Sequence, residues 1–438
     1  MFGERKSDRL DFLAEFYYKY RKAIRAIQIY LLLAGPGILV MVADNDAGGI
    51  TTYTATGAQY GYNLIWFLIL LGPIAYFVQE MTVRLGAVTK HGHAEAIFNA
   101  FGWFWGWFSF LDLSLVNWLT LITEFIGMTA ALSIFGVPAI LTVIVVIIVM
   151  GFMVLQGRYW TWEKIAMVFA AVNLIYIPLA FLAHPDFNAV LTHGVIPQLP
   201  VGGFTATLFF FMMANIGTTI APWMVFFQQS SVVDKGMKEK DIPFGKFDTA
   251  VGSLFTVLVA AFIIIFIATV FPVGTKIESA AQAASSLIGS DSAMSHIEGT
   301  MLAIGLFDAG LLGAICISLS SSWAFGEVFG WAHSLNAKVK EAPWFYGMYF
   351  FALITAGLVV LIPGAPLVLI TLFVQVIAVT LLPAALVFLI LLLNNEEIMG
   401  QYRNNLIQNI ISWGTVILII ILSTLYAIST LFPSLFGV

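Results

Sequence analysis

The chain has 438 residues, of which 60% are hydrophobic and only 10% charged, with a formal net charge of −5 and a mean hydropathy of +0.95. Soluble domains carry about 25% charged residues, so the chain reads as a polytopic membrane protein whose surroundings are lipid, with no nucleic acid as partner. Its long unbroken apolar runs exclude a β-barrel and point to an all-α bundle, and the one cysteine, Cys316, rules out an intrachain disulfide.

Residues 1–28 form a basic segment in which Arg5, Lys6, Arg9, Lys19, Arg21, Lys22 and Arg25 alternate with Tyr17, Tyr18, Tyr20 and Ile24. An amphipathic helix on the membrane surface and a solvated tail account for it equally well. This charged start lacks a cleavable signal, so the first apolar run is expected to remain as a helix. Apolar segments follow near 30–56, 64–88, 104–133, 138–156, 162–183, 202–231, 249–271, 299–332, 345–363, 366–393 and 409–433. These predict eleven transmembrane helices, each able to cross a hydrocarbon core of about 30 Å. With the N-terminus inside, every one of the 19 Lys and Arg residues except Lys276 falls on the inner side. The positive-inside bias therefore predicts a multi-pass cell-membrane protein with a cytoplasmic N-terminus and an outside C-terminus. The longest polar loop, 276–298, is expected to carry a short helix.

Two spans are interrupted. The first contains Ala43-Asp44-Asn45-Asp46-Ala47-Gly48-Gly49. A charge at the bilayer centre costs about 2.5–3.5 kcal/mol on insertion scales, and Gly-Gly is a poor helix former that frees backbone carbonyls. The expectation is a cation site of carboxylate and peptide oxygens at a helix break. In the sixth span, Gly217 and Pro222 bracket Thr218 and Thr219, and the proline removes a backbone donor. Interruptions five spans apart point to inverted repeats around a midplane site. Residues 29–183 would hold helices 1–5, residues 202–393 helices 6–10, and residues 394–438 an additional helix 11.

These stretches resemble the NRAMP family of divalent-metal transporters, whose LeuT-like fold has two inverted five-helix repeats with helices 1 and 6 broken. Gly35-Pro36-Gly37 and then Asp46-Ala47-Gly48-Gly49 stand where the family has Gly-Pro-Gly and Asp-Pro-Gly-Asn. Ala221-Pro222-Trp223-Met224 stands where it has Met-Pro-His-Asn. The runs from Arg84 to Thr89 and from Glu124 to Gly127, and Val374-Gln375-Val376 leading to Leu382-Pro383, are similar as well. The likeness covers roughly residues 30–390.

The resemblance implies a metal held by Asp46, the carbonyl at Thr218 and Gln375, with Ala43 in the same candidate set. Gly49 replaces the family's Asn and Ala221 its Met. A thioether favours transition metals, so its loss implies weaker selection against hard ions. Both replacements also widen the pocket, which suits a partly hydrated Mg²⁺. This pattern, with Asp44-Asn45-Asp46, is similar to the NRAMP-related magnesium transporter branch. Mg²⁺, or Mn²⁺, is thus the transported substrate, and no cofactor is expected. Asp44, Asn45, Glu124 and Trp223 are secondary candidates. Trp223 occupies the family's His position, and Leu121 the position of an Asp that lies three before the glutamate. Little or no proton coupling is therefore implied. Glu124 reads either as a relay acid or as a buried acid satisfied by Thr120 or Thr123.

His91, His93, His184, His193, His296 and His333 lack metal spacing on one helix face and are expected at the surface or as caps. Trp103, Trp105, Trp107, Tyr159, Trp160 and Trp162 are expected in interfacial belts. Asp112 and Glu80 read as paired structural acids, and Glu327 has no assignment. No phosphate-binding loop or intramembrane protease arrangement occurs, so the chain reads as a transporter rather than an enzyme. The competing readings are a proton-coupled transition-metal transporter, an amino-acid or Na⁺ symporter of the same fold, and a cation channel. The symporter should not need the acid pair at 44–46, and a channel's selectivity ring needs a symmetric oligomer. The oligomeric state is not readable from the sequence, and a monomer suffices for alternating access.

Overall fold

The structure is a computed structural model that describes residues 35–200 and 202–432; the basic segment 1–28 lies outside the described residues. Among the described residues, nine helices are long and apolar enough to cross a membrane, and no strand occurs. The first span is split into α1 (Pro36–Ala43) and α2 (Ala47–Tyr60). It is followed by α3 (Ile65–Thr89), α4 (His93–Ser133), α5 (Ala139–Val154), α6 (Tyr159–Val172) and α7 (Tyr176–Leu182). The sixth span is split into α8 (Ala206–Gly217) and α9 (Pro222–Asp234). Then come α10 (Ile242–Val270), α11 (Ala280–Ile288), α12 (Ala293–Phe329), α13 (Pro343–Val360), α14 (Leu367–Asn394) and α15 (Leu406–Leu431). The helix expected in the 276–298 loop is α11. The third span starts earlier than expected, but Gly102 (φ 79) interrupts α4, so the stretch from residue 103 onward matches the apolar run.

Both breaks have local causes. Asp46 is extended (ψ 179) and caps α2, its Oδ1 accepting the Gly49 N–H at 2.6 Å. A carboxylate at this position satisfies one of the free N–H groups of the first turn. The interruption therefore lies at Asp44–Asp46, and Gly48-Gly49 form the first turn of α2 rather than the unwound stretch. In the sixth span Ala221 is extended (φ −99, ψ 149) and Pro222 opens α9. Proline at the first helical position loses nothing, because that N–H has no intrahelical partner. The core is built where α12 packs along α4 and where α10 packs on α1, α2 and α3. The two broken spans lie inside this scaffold, with nearly every residue of α1, α2 and α9 buried.

Candidate functional site

The breaks meet at a buried polar centre. Three points in space define it. A Cβ added to Gly49 would lie 3.0 Å from the Asp44 carbonyl oxygen, 3.3 Å from Asp46 Oδ1 and 3.5 Å from Thr218 Cβ. A Cβ on Gly48 would lie 2.1 Å from Gln375 Nε2, 3.1 Å from Thr123 Oγ1 and 3.3 Å from Asp46 Oδ1. A Cβ on Gly313 would lie 2.9 Å from both Asp46 Cβ and Glu124 Oε2. So α1, α2, α4, α8, α12 and α14 all contribute to one locus. Gly217 allows this: its Cα passes so near the Gln375 carbonyl that a methyl would sit 2.2 Å from that oxygen.

The donor set there is oxygen-rich and under-bonded. Asp44 is buried, and neither carboxylate oxygen has a hydrogen-bond partner. Asn45 donates Nδ2 to the Thr256 carbonyl at 3.2 Å, while its Oδ1 is unpartnered. Gln375 Nε2 is unpartnered too; turning the amide over would put its oxygen there instead. A buried carboxylate without a donor or counter-charge is costly, so this group is chemically suited to a cation. Glu124 is already engaged. Its Oε2 accepts the Ala47 N–H at 3.0 Å and its Oε1 accepts Thr123 Oγ1 at 3.2 Å. It steadies the start of α2, and Thr123 is one of the two hydroxyls expected for it.

Contacts between helices flank the centre at both ends. Toward the end of α2, Asn215 Nδ2 donates to Thr56 Oγ1 at 2.9 Å and Tyr53 OH donates to the Thr218 carbonyl at 3.3 Å. Beyond them an apolar plug of Tyr60, Leu64, Leu208, Phe211 and Leu372 forms one cluster, with the Tyr60 and Phe211 rings edge to face at 5.6 Å. At the other end, Asp248 accepts the N–H groups of Gly35, Gly37 and Ile38 at 3.0, 2.7 and 3.3 Å, which pins the start of α1 to α10. Thr256 Oγ1 also donates to the Met41 carbonyl.

The family described as natural resistance-associated macrophage protein-like (Nramp) matches residues 37–429. The chain belongs to the Nramp family. A divalent metal cation transporter MntH from Listeria welshimeri is 26% identical over 416 residues, 91% of this Nramp chain and 90% of that protein. A protein of the same name from Caldanaerobacter subterraneus is 26% identical over 269 residues, 59% of this chain and 63% of that one. The Eremococcus coleocola manganese transporter, solved with an aromatic bis-isothiourea compound, superposes with a TM-score of 0.76 at 20% identity, covering 92% of this chain and 86% of that one. MhsT in complex with L-phenylalanine superposes with a TM-score of 0.52 at 12% identity, covering 90% of this chain and 97% of that one. The fold is thus the LeuT-like one, and this Nramp chain is a multi-pass membrane transporter, not an enzyme.

Of the residues singled out in the sequence, Asp44, Asp46, Gly49, Thr218, Gln375 and Glu124 come together. Ala43 closes α1 beside them, and Ala221 caps α9 three residues past Thr218. Trp223 is fully buried against Phe227 (ring centroids 6.0 Å apart), and its carbonyl accepts Ser320 Oγ at 3.1 Å. Sequence reasoning gave no site role of their own to Gly48, Tyr53 or, above all, Met224, and named Thr123 only as a partner of Glu124. The Met224 sulfur folds back to the break and accepts the Ala221 N–H at 3.3 Å. Its one sequence signal was proximity, three residues past Ala221.

Several discounted residues need correction. His93 is neither a surface residue nor a loop residue: it opens α4, is fully buried, and its Nδ1 lies 2.7 Å from Gln229 Oε1. Tyr159 and Trp162 are core residues packed between helices, whereas Trp103 and Trp105 are exposed as an interfacial belt requires. Glu80 is indeed paired, with Arg84 at 2.8 Å and Lys246 at 2.7 Å. Glu327 now has a place: it accepts the Ala94 N–H at 3.0 Å and Ser230 Oγ at 2.6 Å, tying α12 to α4 and α9.

Proposed function

We propose that this chain transports a divalent cation, Mg²⁺ ahead of Mn²⁺, by alternating access at the junction of its two broken helices. Family membership and the relatives' activity support the divalent class. The observation that carries the choice of ion is the pairing of short side chains with free oxygens. Gly49 and Ala221 stand at the junction in place of longer ligands, beside the unpartnered Asp44 carboxylate. Mg²⁺ dehydrates reluctantly and keeps several waters while one or two carboxylates hold it. The ligands of this reading are Asp46, the Thr218 carbonyl, Gln375 and the Ala43 carbonyl, with Asp44 attracting the hydrated ion.

One observation favours a second reading. The Met224 thioether reaches the break, and rotated toward the ion it would supply a soft donor that Mn²⁺ tolerates better than Mg²⁺. Isothermal titration of the purified protein with Mg²⁺, Mn²⁺ and alanine separates the readings. The proposal expects saturable Mg²⁺ binding and none of alanine; alanine binding would support a symporter instead, and Mn²⁺ binding without Mg²⁺ binding the second reading.

Proton movement is a minor part of this proposal. Glu124 is engaged by Ala47 and Thr123, and the two positions that could pass a proton onward hold no titratable group: Leu121 is apolar and Trp223 is packed on Phe227. The positive-inside bias supports a cytoplasmic location for the α1 start and Asp248, so that releasing the three Asp248 hydrogen bonds opens the inner side. The plug around Tyr60 and Phe211 is then the outer closure. The two breaks also support reading residues 29–183 and 202–393 as the two repeats that rock against each other.

A further inference from the structure

A second buried carboxylate lies in the bundle, outside the site described above. Asp308 on α12 is 5% exposed, and its Oδ2 accepts Asn173 Nδ2 at 3.1 Å. Among the described residues no Lys, Arg or His forms an ion pair with it. Asn173 begins the three-residue 3₁₀ stretch Asn173–Ile175 that interrupts the fifth span between α6 and α7. Such a stretch inside a helix often marks a hinge or a functional position.

Two further buried oxygens of this cluster are left unsatisfied. Asn173 Oδ1 and Tyr176 OH are fully buried and have no hydrogen-bond partner. The Tyr176 hydroxyl is aimed at α12 one turn from Asp308: a Cβ on Gly305 would lie 2.6 Å from it. Residues three apart share a helix face with Cβ atoms about 5–6 Å apart, so the hydroxyl, the amide and the carboxylate converge. This cluster is not part of the Asp46 site. Asp46 faces Gly313, and Asp308 lies about 7.5 Å along the helix from there at 1.5 Å per residue, on a different face.

We propose that Asp308, Asn173 and Tyr176 form a second cation site, for a monovalent hard cation of the Na⁺ class. The ligands are all oxygen, which suits a hard ion. The single carboxylate balances one charge, whereas oxygen sites for divalent ions recruit more carboxylates or waters. Asn173 presents Oδ1 after its amide turns over, a change that preserves its shape. The ion would bridge the fifth and eighth spans at the 3₁₀ interruption.

The test is sodium-22 binding to the purified full-length chain in detergent, by scintillation proximity, with N-methyl-D-glucamine holding ionic strength constant. The wild type is expected to bind saturably, one ion per chain, and Asp308→Asn to lose that binding while Asp46→Ala keeps it. Tyr176→Phe removes one ligand oxygen and keeps the ring, and is expected to weaken binding about tenfold, as loss of one supporting group does at metal sites. This variant decides the matter if Asp308→Asn fails to elute as a folded species. Absence of saturable binding to the wild type, or binding unchanged in the folded Asp308→Asn or in Tyr176→Phe, overturns the proposal.

Discussion

Replacing Gly48 by Ala is a small change that the geometry turns into a functional one. The new methyl would sit 2.1 Å from Gln375 Nε2, so the amide must move. In the first turn of α2 the substitution gains about 0.8–1 kcal/mol of helix propensity. Overpacking opposes it by about 1–3 kcal/mol. The net change in fold stability is then about 0–2 kcal/mol of destabilisation, because the atom that yields is the end of a flexible side chain. Binding should suffer more. If Gln375 is a ligand, displacing it should raise the Mg²⁺ Kd about 10–100-fold, the range seen when groups supporting a metal site are lost. Titration calorimetry reads the Kd, and scanning fluorimetry reads the Tm of the same preparation. Gln375→Ala should show the same loss, and the double variant should add little, because both changes remove one interaction. A Gly48→Ala protein with unchanged Tm and unchanged Kd would refute the placement of Gln375 at the ion.

The other predictions concern ion choice and coupling. Gly49→Asn combined with Ala221→Met should lose Mg²⁺ binding and shift preference toward Mn²⁺, since the added side chains narrow the pocket and supply a sulfur; unchanged Mg²⁺ transport in the folded double variant would mean that neither position lines the site. Met224→Leu should leave Mg²⁺ affinity within about twofold, because a thioether adds little for a hard ion, and a selective loss of Mn²⁺ binding in this variant would identify the sulfur as a Mn²⁺ ligand. During Mg²⁺ uptake into liposomes a trapped pH dye should stay flat. The membrane potential alone supplies about 2.3 kcal/mol per charge per 100 mV, and acidification in proportion to uptake would contradict uncoupled transport.

The parts of this molecule that were legible in its sequence are those in which one residue acts on its own neighbourhood. Asp46 caps the helix that follows it and Pro222 starts the next, so both breaks could be read from a few adjacent residues. The polar loop helix and the pairing of Glu80 were legible for the same reason. What could not be read depends on distant segments meeting. The contact of Gly48 with Gln375 exists because α14 packs over α2, and the sequence separates those residues by most of the chain. Gly48-Gly49 looked like the unwound stretch, but Asp46 captures the Gly49 N–H and draws both glycines into α2. His93 was misread because a residue at the start of a helix has no local mark of burial; Gln229 and Phe226, from another span, enclose it. The return of the Met224 sulfur to Ala221 is a rotamer choice, which spacing does not encode.

Passage of a divalent ion by way of Asp46 can be read directly as transport. Purified wild-type and Asp46→Ala proteins are reconstituted into liposomes, and Mg²⁺ entry is followed with a trapped indicator under an inside-negative potential. Saturable Mg²⁺ entry is expected through the wild type, and none above protein-free liposomes through the folded Asp46→Ala variant. Entry through that variant at the wild-type rate would contradict passage by way of Asp46.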